Sequence, residues 1–207
     1  MNACGAESMK AGRTVQVTVA DGSVRGQWAV VFRSEAVPGT LAVFAGVLTL
    51  AGADIVSATV TRSRDDSVTD VFEVQPPAEC PDPAPDLAAQ LAEQAAAGLA
   101  DERALHERIR GLRTPTPPSM LPPTVEVVAD SEISSGIIVR AADRPGLLHD
   151  IAHVLSAHGM RARSLSALTF NGRAHDTFRI VDTTGMAPRD SAVLAELQTA
   201  LLHELRI

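Results

Sequence analysis

Hydrophobic and polar positions change period along the chain in an order that occurs twice. Val15, Val17 and Val19 alternate with polar neighbours, the period-two pattern of a half-buried strand. A turn containing Asp and Ser follows, then a more apolar strand over Trp28–Arg33. A Pro-Gly turn leads into an apolar run, Thr40–Ala51, long enough for about three helical turns and closed by Gly52 at the position of a left-handed C-cap. Two further strands are joined by the polar turn "RSRDDS", and an Ala-rich helix runs from Asp86 to about Leu112, with a break expected at Gly98. The same series returns as Val125–Ala129, Gly136–Ala141, the helix Leu147–His158 closed by Gly159, two strands joined by "NGR", and a last helix over Arg189–Leu205. Asn171-Gly172 is a strong hairpin signal.

The two series align residue for residue. "VPGTLAVFAGVLTLAGADIVSATV" (37–60) lies over "RPGLLHDIAHVLSAHGMRARSLSA" (144–167), so that Pro38-Gly39 meets Pro145-Gly146 and Leu41, Val47, Leu48 and Gly52 meet Leu148, Val154, Leu155 and Gly159. After one extra residue in the first copy, "TDVFEV" meets "HDTFRI", and Asp70 and Phe72 fall over Asp176 and Phe178. The expected organisation is a disordered tail (1–12), a first domain (13–113), a Pro-rich linker (114–123) and a second domain (124–207). "QPPAECPDPAP" (75–85) and "TPTPPSMLPP" (114–123) read as stiff, extended spacers, because proline lacks an amide donor. The fold class is α+β: two ferredoxin-like domains, each a four-stranded antiparallel sheet with two helices on one face. No residues remain after the last helix for a closing edge strand, so the opening strand takes that place. Val125–Ala129 could alternatively close the first copy, and the pattern leaves both pairings open.

A strand, then Asp143-Arg144-Pro145-Gly146-Leu147-Leu148, an apolar helix, a Gly and two strands carrying Asp-x-Phe resemble the ACT domain, a ligand-binding regulatory module. The paired arrangement is most similar to the C-terminal tandem of protein-PII uridylyltransferases, bacterial nitrogen sensors, over about residues 13–207. Those enzymes also carry nucleotidyltransferase and metal-dependent hydrolase domains, for which this chain supplies no Gly-Ser loop with paired acidic ligands. The resemblance therefore implies a sensor without its enzyme, free-standing or cut from a longer chain. It also implies where a ligand sits: at the turn before the first helix, facing the start of the following strand of the other copy. In this sequence that means Asp143, Arg144, Pro145, Gly146, Leu147 and Leu148 with Asp54 and Ile55, and Pro38, Gly39 and Thr40 with Arg161. The family often has Asn-Ile where Asp54-Ile55 and Arg161-Ala162 stand.

The physics of the turn points the same way without the name. First-turn amides point outward unpaired at the positive end of the helix dipole and suit a carboxylate. Pro145 suits the first helical position, and Gly146 permits close approach to the backbone. Asp143 either receives an ammonium group or caps the helix; in the first copy Ala36 replaces it. One competent site is expected, built from the second copy's turn and completed by the first copy.

Composition narrows the function. Of 207 residues 45% are hydrophobic, but only 3% are aromatic, so the core is built from Val, Leu, Ile and Ala. A formal charge of −7 and too few stacking aromatics argue against nucleic acid as a partner. No apolar run reaches membrane-spanning length, and the first dozen residues lack a secretory pattern, so a cytoplasmic protein with reduced Cys4 and Cys80 is expected.

"HDIAH" (149–153) differs from the zinc-protease pattern H-E-x-x-H only in its acid. His149 and His153 fall off the apolar stripe of Leu148, Ile151, Ala152 and Leu155, and the first copy has Ala42 and Gly46 at the matched positions. Both are expected on a solvated face, with no metal and no cofactor. "DERALHERIR" (101–110) reads as a salt-bridged outer face, and Asp70 and Asp176 read as mainly structural. No nucleophile elbow or catalytic acid pair is present, so the chain is expected to be a non-enzymatic sensor of an amino acid. Glutamine is suggested only by the resemblance. An unidentified regulated protein is its expected partner, and homodimerisation through open sheet edges is plausible. The alternatives are a ligand-free protein–protein adaptor and a regulatory fragment of a uridylyltransferase-like enzyme.

Overall fold

The computed structural model describes residues 4–8 (backbone only), 14–63, 67–80, 82–112, 121–129 and 134–206. The first copy contributes β2 (Val15–Asp21), β3 (Trp28–Glu35), α1 (Thr40–Leu50), β4 (Asp54–Arg62), β5 (Ser67–Gln75), α2 (Leu87–Ala100) and α3 (Glu102–Arg110), preceded by β1 (Cys4–Ser8). The second contributes β6 (Thr124–Ala129), β7 (Ser135–Ala142), α4 (Leu147–Ala157), β8 (Arg161–Phe170), β9 (Arg173–Val181) and α5 (Ser191–Glu204). Each copy is a four-stranded antiparallel unit of the expected type. The two join into one sheet of order β1-β2-β3-β5-β4-β8-β9-β7-β6 among the described residues.

The junction is short: β4 meets β8 through Ser57 opposite Leu168 and Ala58 opposite Ala167. Both strands carry a bulge near their start, between Ile55 and Ser57 and between Ala162 and Ser164, which increases their local twist. In each copy the opening strand pairs with the second as the edge, β2 on β3 and β6 on β7, which settles the open pairing of Val125–Ala129. Cys4–Ser8 pairs antiparallel with β2, so this part of the expected tail is a strand. The physical reason is that β2 would otherwise present an open row of amides and carbonyls. The linker over 114–123 lies mostly outside the described residues.

The core lies between sheet and helices. Phe32 stacks on Phe44 at 4.5 Å between ring centroids, with Phe72 edge-on at 5.8 Å. At the matched places in the second copy, Val139, Ile151 and Phe178 are likewise fully buried. Helix α1 is buried from Thr40 to Thr49, which explains why its sequence is apolar on every side: it is packed by the sheet, α2, α3 and α4. Both first helices end as expected. Ala53 N–H bonds Leu48 C=O and Met160 N–H bonds Leu155 C=O, the six-to-one closure beyond Gly52 and Gly159. Asn171 and Gly172 both have positive φ, and they close the β8–β9 hairpin.

The long helix breaks at Asp101, not at Gly98. Gly98 stays inside α2, where a Cβ would lie 2.9 Å from both Val43 Cγ1 and Leu105 Cδ2, so glycine there allows α2 to approach its neighbours. Asp101 is extended, and its Oδ1 accepts from Ala104 N–H at 3.0 Å, capping α3. The replacement Asp101→Ala is expected to cost about 1 kcal/mol. Urea denaturation followed by circular dichroism measures it, and an unchanged midpoint would show that the cap does not hold α3.

Candidate functional site

Two clefts are built by the same rule from opposite copies. The first is lined by Asp143–Leu148, the turn ahead of α4, together with Asp54 and Ile55 at the start of β4, and by Leu168, Thr169 and Asp176 from β8 and β9. The second is lined by Val37, Gly39, Thr40 and Ala42 from the first copy's turn, with Arg161 and Ala162 at the start of β8, and by Arg62 and Asp70. Of the residues singled out in the sequence, only Pro38 stands outside the lining. Each cleft has a volume of about 40 Å³. That holds waters or an ammonium-sized group.

The turn itself is built differently from the expectation. Gly39 and Gly146 are the N-cap residues, with φ of 80° and 79°, so Pro38 and Pro145 lie ahead of the helix and not at its first position. Left-handed backbone is what requires glycine there. Asp143 does not cap α4. Its carboxyl is held above the ordinary range, first by burial and then by neighbouring Asp54, while bonds from the Thr169 hydroxyl and the Arg144 amide oppose the rise. Arg144 Nη1 bonds Asp150 Oδ2 at 2.5 Å, an ion pair folded back onto the first turn of α4. Arg161 is anchored to its own copy through the carbonyls of Asp182 and Thr183.

Asp70 and Asp176 are more than structural bystanders by position, since each lines a cleft. Both are almost fully buried. Burial lifts each to about 7; Arg62 works against the rise at Asp70, and a backbone bond from Leu168 works against it at Asp176. Neither carboxylate oxygen of Asp70 has a hydrogen-bond partner among the described residues. The clefts therefore differ in charge character. The first gathers Asp54, Asp143 and Asp176 around Arg144, whereas the second sets Arg62 and Arg161 about Asp70.

The histidines of α4 are not on a solvated face. His149 and Asp150 are fully buried, and His153 is half-buried. They are hidden by α1, which packs along α4, and by α3, whose inner side carries Glu102, Leu105, His106 and Ile109. "DERALHERIR" is thus a strap over the α1–α4 junction, with Arg103, Glu107, Arg108 and Arg110 exposed on its outer face and Glu102 turned to His153. His149 Nδ1 donates to Ala42 C=O at 2.7 Å, and His106 Nδ1 lies 3.0 Å from His149 Nε2. His153 Nδ1 meets Glu102 Oε1 at 3.0 Å and stacks on His106, with centroids 4.0 Å apart. Desolvation pushes His149 below the ordinary imidazole value. Gly46 is the complement of His149: a Cβ there would lie 2.8 Å from His149 Nδ1. The repeat's two copies differ at these positions because they face each other, and one makes room for the other.

Two facing ferredoxin-like units, with clefts where each turn meets the other unit's strand, have the tandem ACT-type architecture expected from the repeat. The chain is similar over most of its length to part of the bifunctional uridylyltransferase/uridylyl-removing enzymes. The relative from Gluconobacter oxydans is 33% identical over 183 residues, covering 81% of this chain and 18% of the relative. Those from Rhodospirillum rubrum and Bradyrhizobium diazoefficiens are 29% and 26% identical, covering 92% and 95% of this chain and 21% of each relative. The chain thus spans about a fifth of the length of the curated relatives it matches. No protein-family model matches it. Among solved structures, aspartate kinase from Synechocystis aligns over 86% of this chain and 26% of its own, with a TM-score of 0.43 and 16% identity, too loosely to bear on function. No helix among the described residues is long and apolar enough to cross a membrane.

Proposed function

We propose that this chain is a non-enzymatic regulatory module that binds an amino acid in a cleft shared by its two copies and passes the resulting change in their arrangement to a protein partner in the cytoplasm. The observation that carries this reading is the composite cleft of Asp143–Leu148 with Asp54 and Ile55. The first-turn amides of Leu148 and His149 at the amino end of α4 suit a carboxylate. Asp54, Asp143 and Asp176 suit the ammonium group a few ångströms away. In this reading, occupation parts the two copies around the cleft they share. A ligand that prefers the parted arrangement shifts the equilibrium towards it. Glutamine and a role in nitrogen regulation belong to this proposal through the similarity to uridylyltransferase/uridylyl-removing enzymes, of which the chain corresponds to a minor portion. That portion also favours a second reading, in which the chain is the regulatory piece of such an enzyme.

Thermal unfolding with each of the twenty amino acids at millimolar concentration tests the proposal. One amino acid is expected to raise the midpoint progressively with concentration, and Asp143→Asn is expected to blunt that rise. If all twenty leave the midpoint unmoved, the chain is a ligand-free adaptor.

A further inference from the structure

We propose that His106, His149 and Asp150 form a site for a borderline divalent transition-metal ion of the zinc class, which pins the strap helix α3 to α4. The three side chains come from two helices, and one donor atom of each lies within 4.8 Å of the others. The imidazole of His149 is prepared for this role. A carbonyl oxygen only accepts, so the bond to Ala42 C=O puts the ring proton on Nδ1 and presents the Nε2 lone pair towards His106. Metal-bound histidines are oriented by such a bond from the second ring nitrogen.

His106 Nδ1 stands 3.0 Å from that lone pair. Bonds of about 2.0–2.1 Å to a tetrahedral ion place two nitrogens about 3.3 Å apart, so the pair is close to ligating separation. Asp150 holds Arg144 through Oδ2, and a carboxylate has further lone pairs to offer. Two imidazoles and a carboxylate select zinc, cobalt or nickel over magnesium or calcium, which prefer all-oxygen shells. His149 is fully buried and His106 is part-exposed, so the ion has a closed inner side and an entry path along α3. His153, whose Nδ1 faces Glu102, lies outside the group of donor atoms within 4.8 Å of one another.

The test is zinc titration of tag-free full chain, stripped with chelator, followed by calorimetry and thermal unfolding, with cobalt as a spectroscopic probe and magnesium as control. One zinc per chain is expected, with a raised unfolding midpoint and visible cobalt absorption. Neither magnesium nor the exposed His203→Ala change should matter. His106→Ala on the part-exposed strap is expected to weaken zinc binding at least about tenfold while the chain stays folded, which keeps the test valid should His149→Ala misfold. Absent saturable binding, unchanged affinity in His106→Ala, or equal weakening in His203→Ala each overturn the proposal and leave a histidine–histidine hydrogen bond.

Discussion

Replacing Asp70 by Asn is expected to stabilise the protein at about pH 8 and to leave it nearly unchanged at about pH 4. The folded chain holds this carboxyl at about 7, against 3.8 for the same group open to water. Below 3.8 both folded and unfolded chains carry the proton, and Asp70 makes no contribution to the pH dependence. Between 3.8 and about 7 the unfolded chain releases the proton while the folded chain keeps it, so stability falls as pH rises through that window. Above it the loss is complete, on the order of 4 kcal/mol as an upper bound. The cause is burial of a carboxylate that has no hydrogen-bond partner among the described residues, opposed only in part by the charge of Arg62. Asparagine keeps the shape and removes the charge. Urea midpoints of both proteins at the two pH values check this, and parallel pH profiles for parent and variant would refute it. Asp176→Asn is expected to act in the same direction, since burial holds that carboxyl at about 7 as well, against the opposing bond from the Leu168 amide.

Gly146→Ala is expected to destabilise the chain by about 2–4 kcal/mol, combining left-handed strain with overpacking. The backbone at Gly146 has φ of 79°, and a Cβ there would lie 2.8 Å from Ile109 Cγ2 on the strap helix. Ile109 is buried, so it has little freedom to withdraw. A double-mutant cycle with Ile109→Val separates the two causes. The overpacking component is expected to couple the positions, and the strain component to persist in both backgrounds. A change below about 0.5 kcal/mol for Gly146→Ala would mean that α3 does not rest on this turn. The same substitution is expected to impair amino-acid binding, since the turn lines the cleft.

Much of the architecture was legible in the sequence because its signals are local. Alternating valines mark β2, and "NG" closes the β8–β9 hairpin. Glycine ends α1 and α4, and the register of the repeat assigns equivalent elements in the two copies. The resemblance to the ACT domain implied that Asp143–Leu148 and Asp54-Ile55 should meet, and both segments line one cleft. Asp70 and Asp176 left a trace, standing in register two residues before a buried Phe and so facing the same side of the strand.

What the sequence by itself determined is the order of strands and helices in each copy, the glycine stops of α1 and α4, the Asn171-Gly172 hairpin and the inward face of the strands, since these depend on residues a few positions apart. The tertiary structure alone decided that the two sheets fuse through Ser57 and Ala58, and that α3 turns its histidine inward over the α1–α4 junction. It alone decided that His149 is buried against Ala42. A helical wheel for α4 sees one helix and its sheet, and therefore places His149 in solvent. The second helix that covers it begins far away in the chain, and contact between distant segments follows from packing, which no local period encodes.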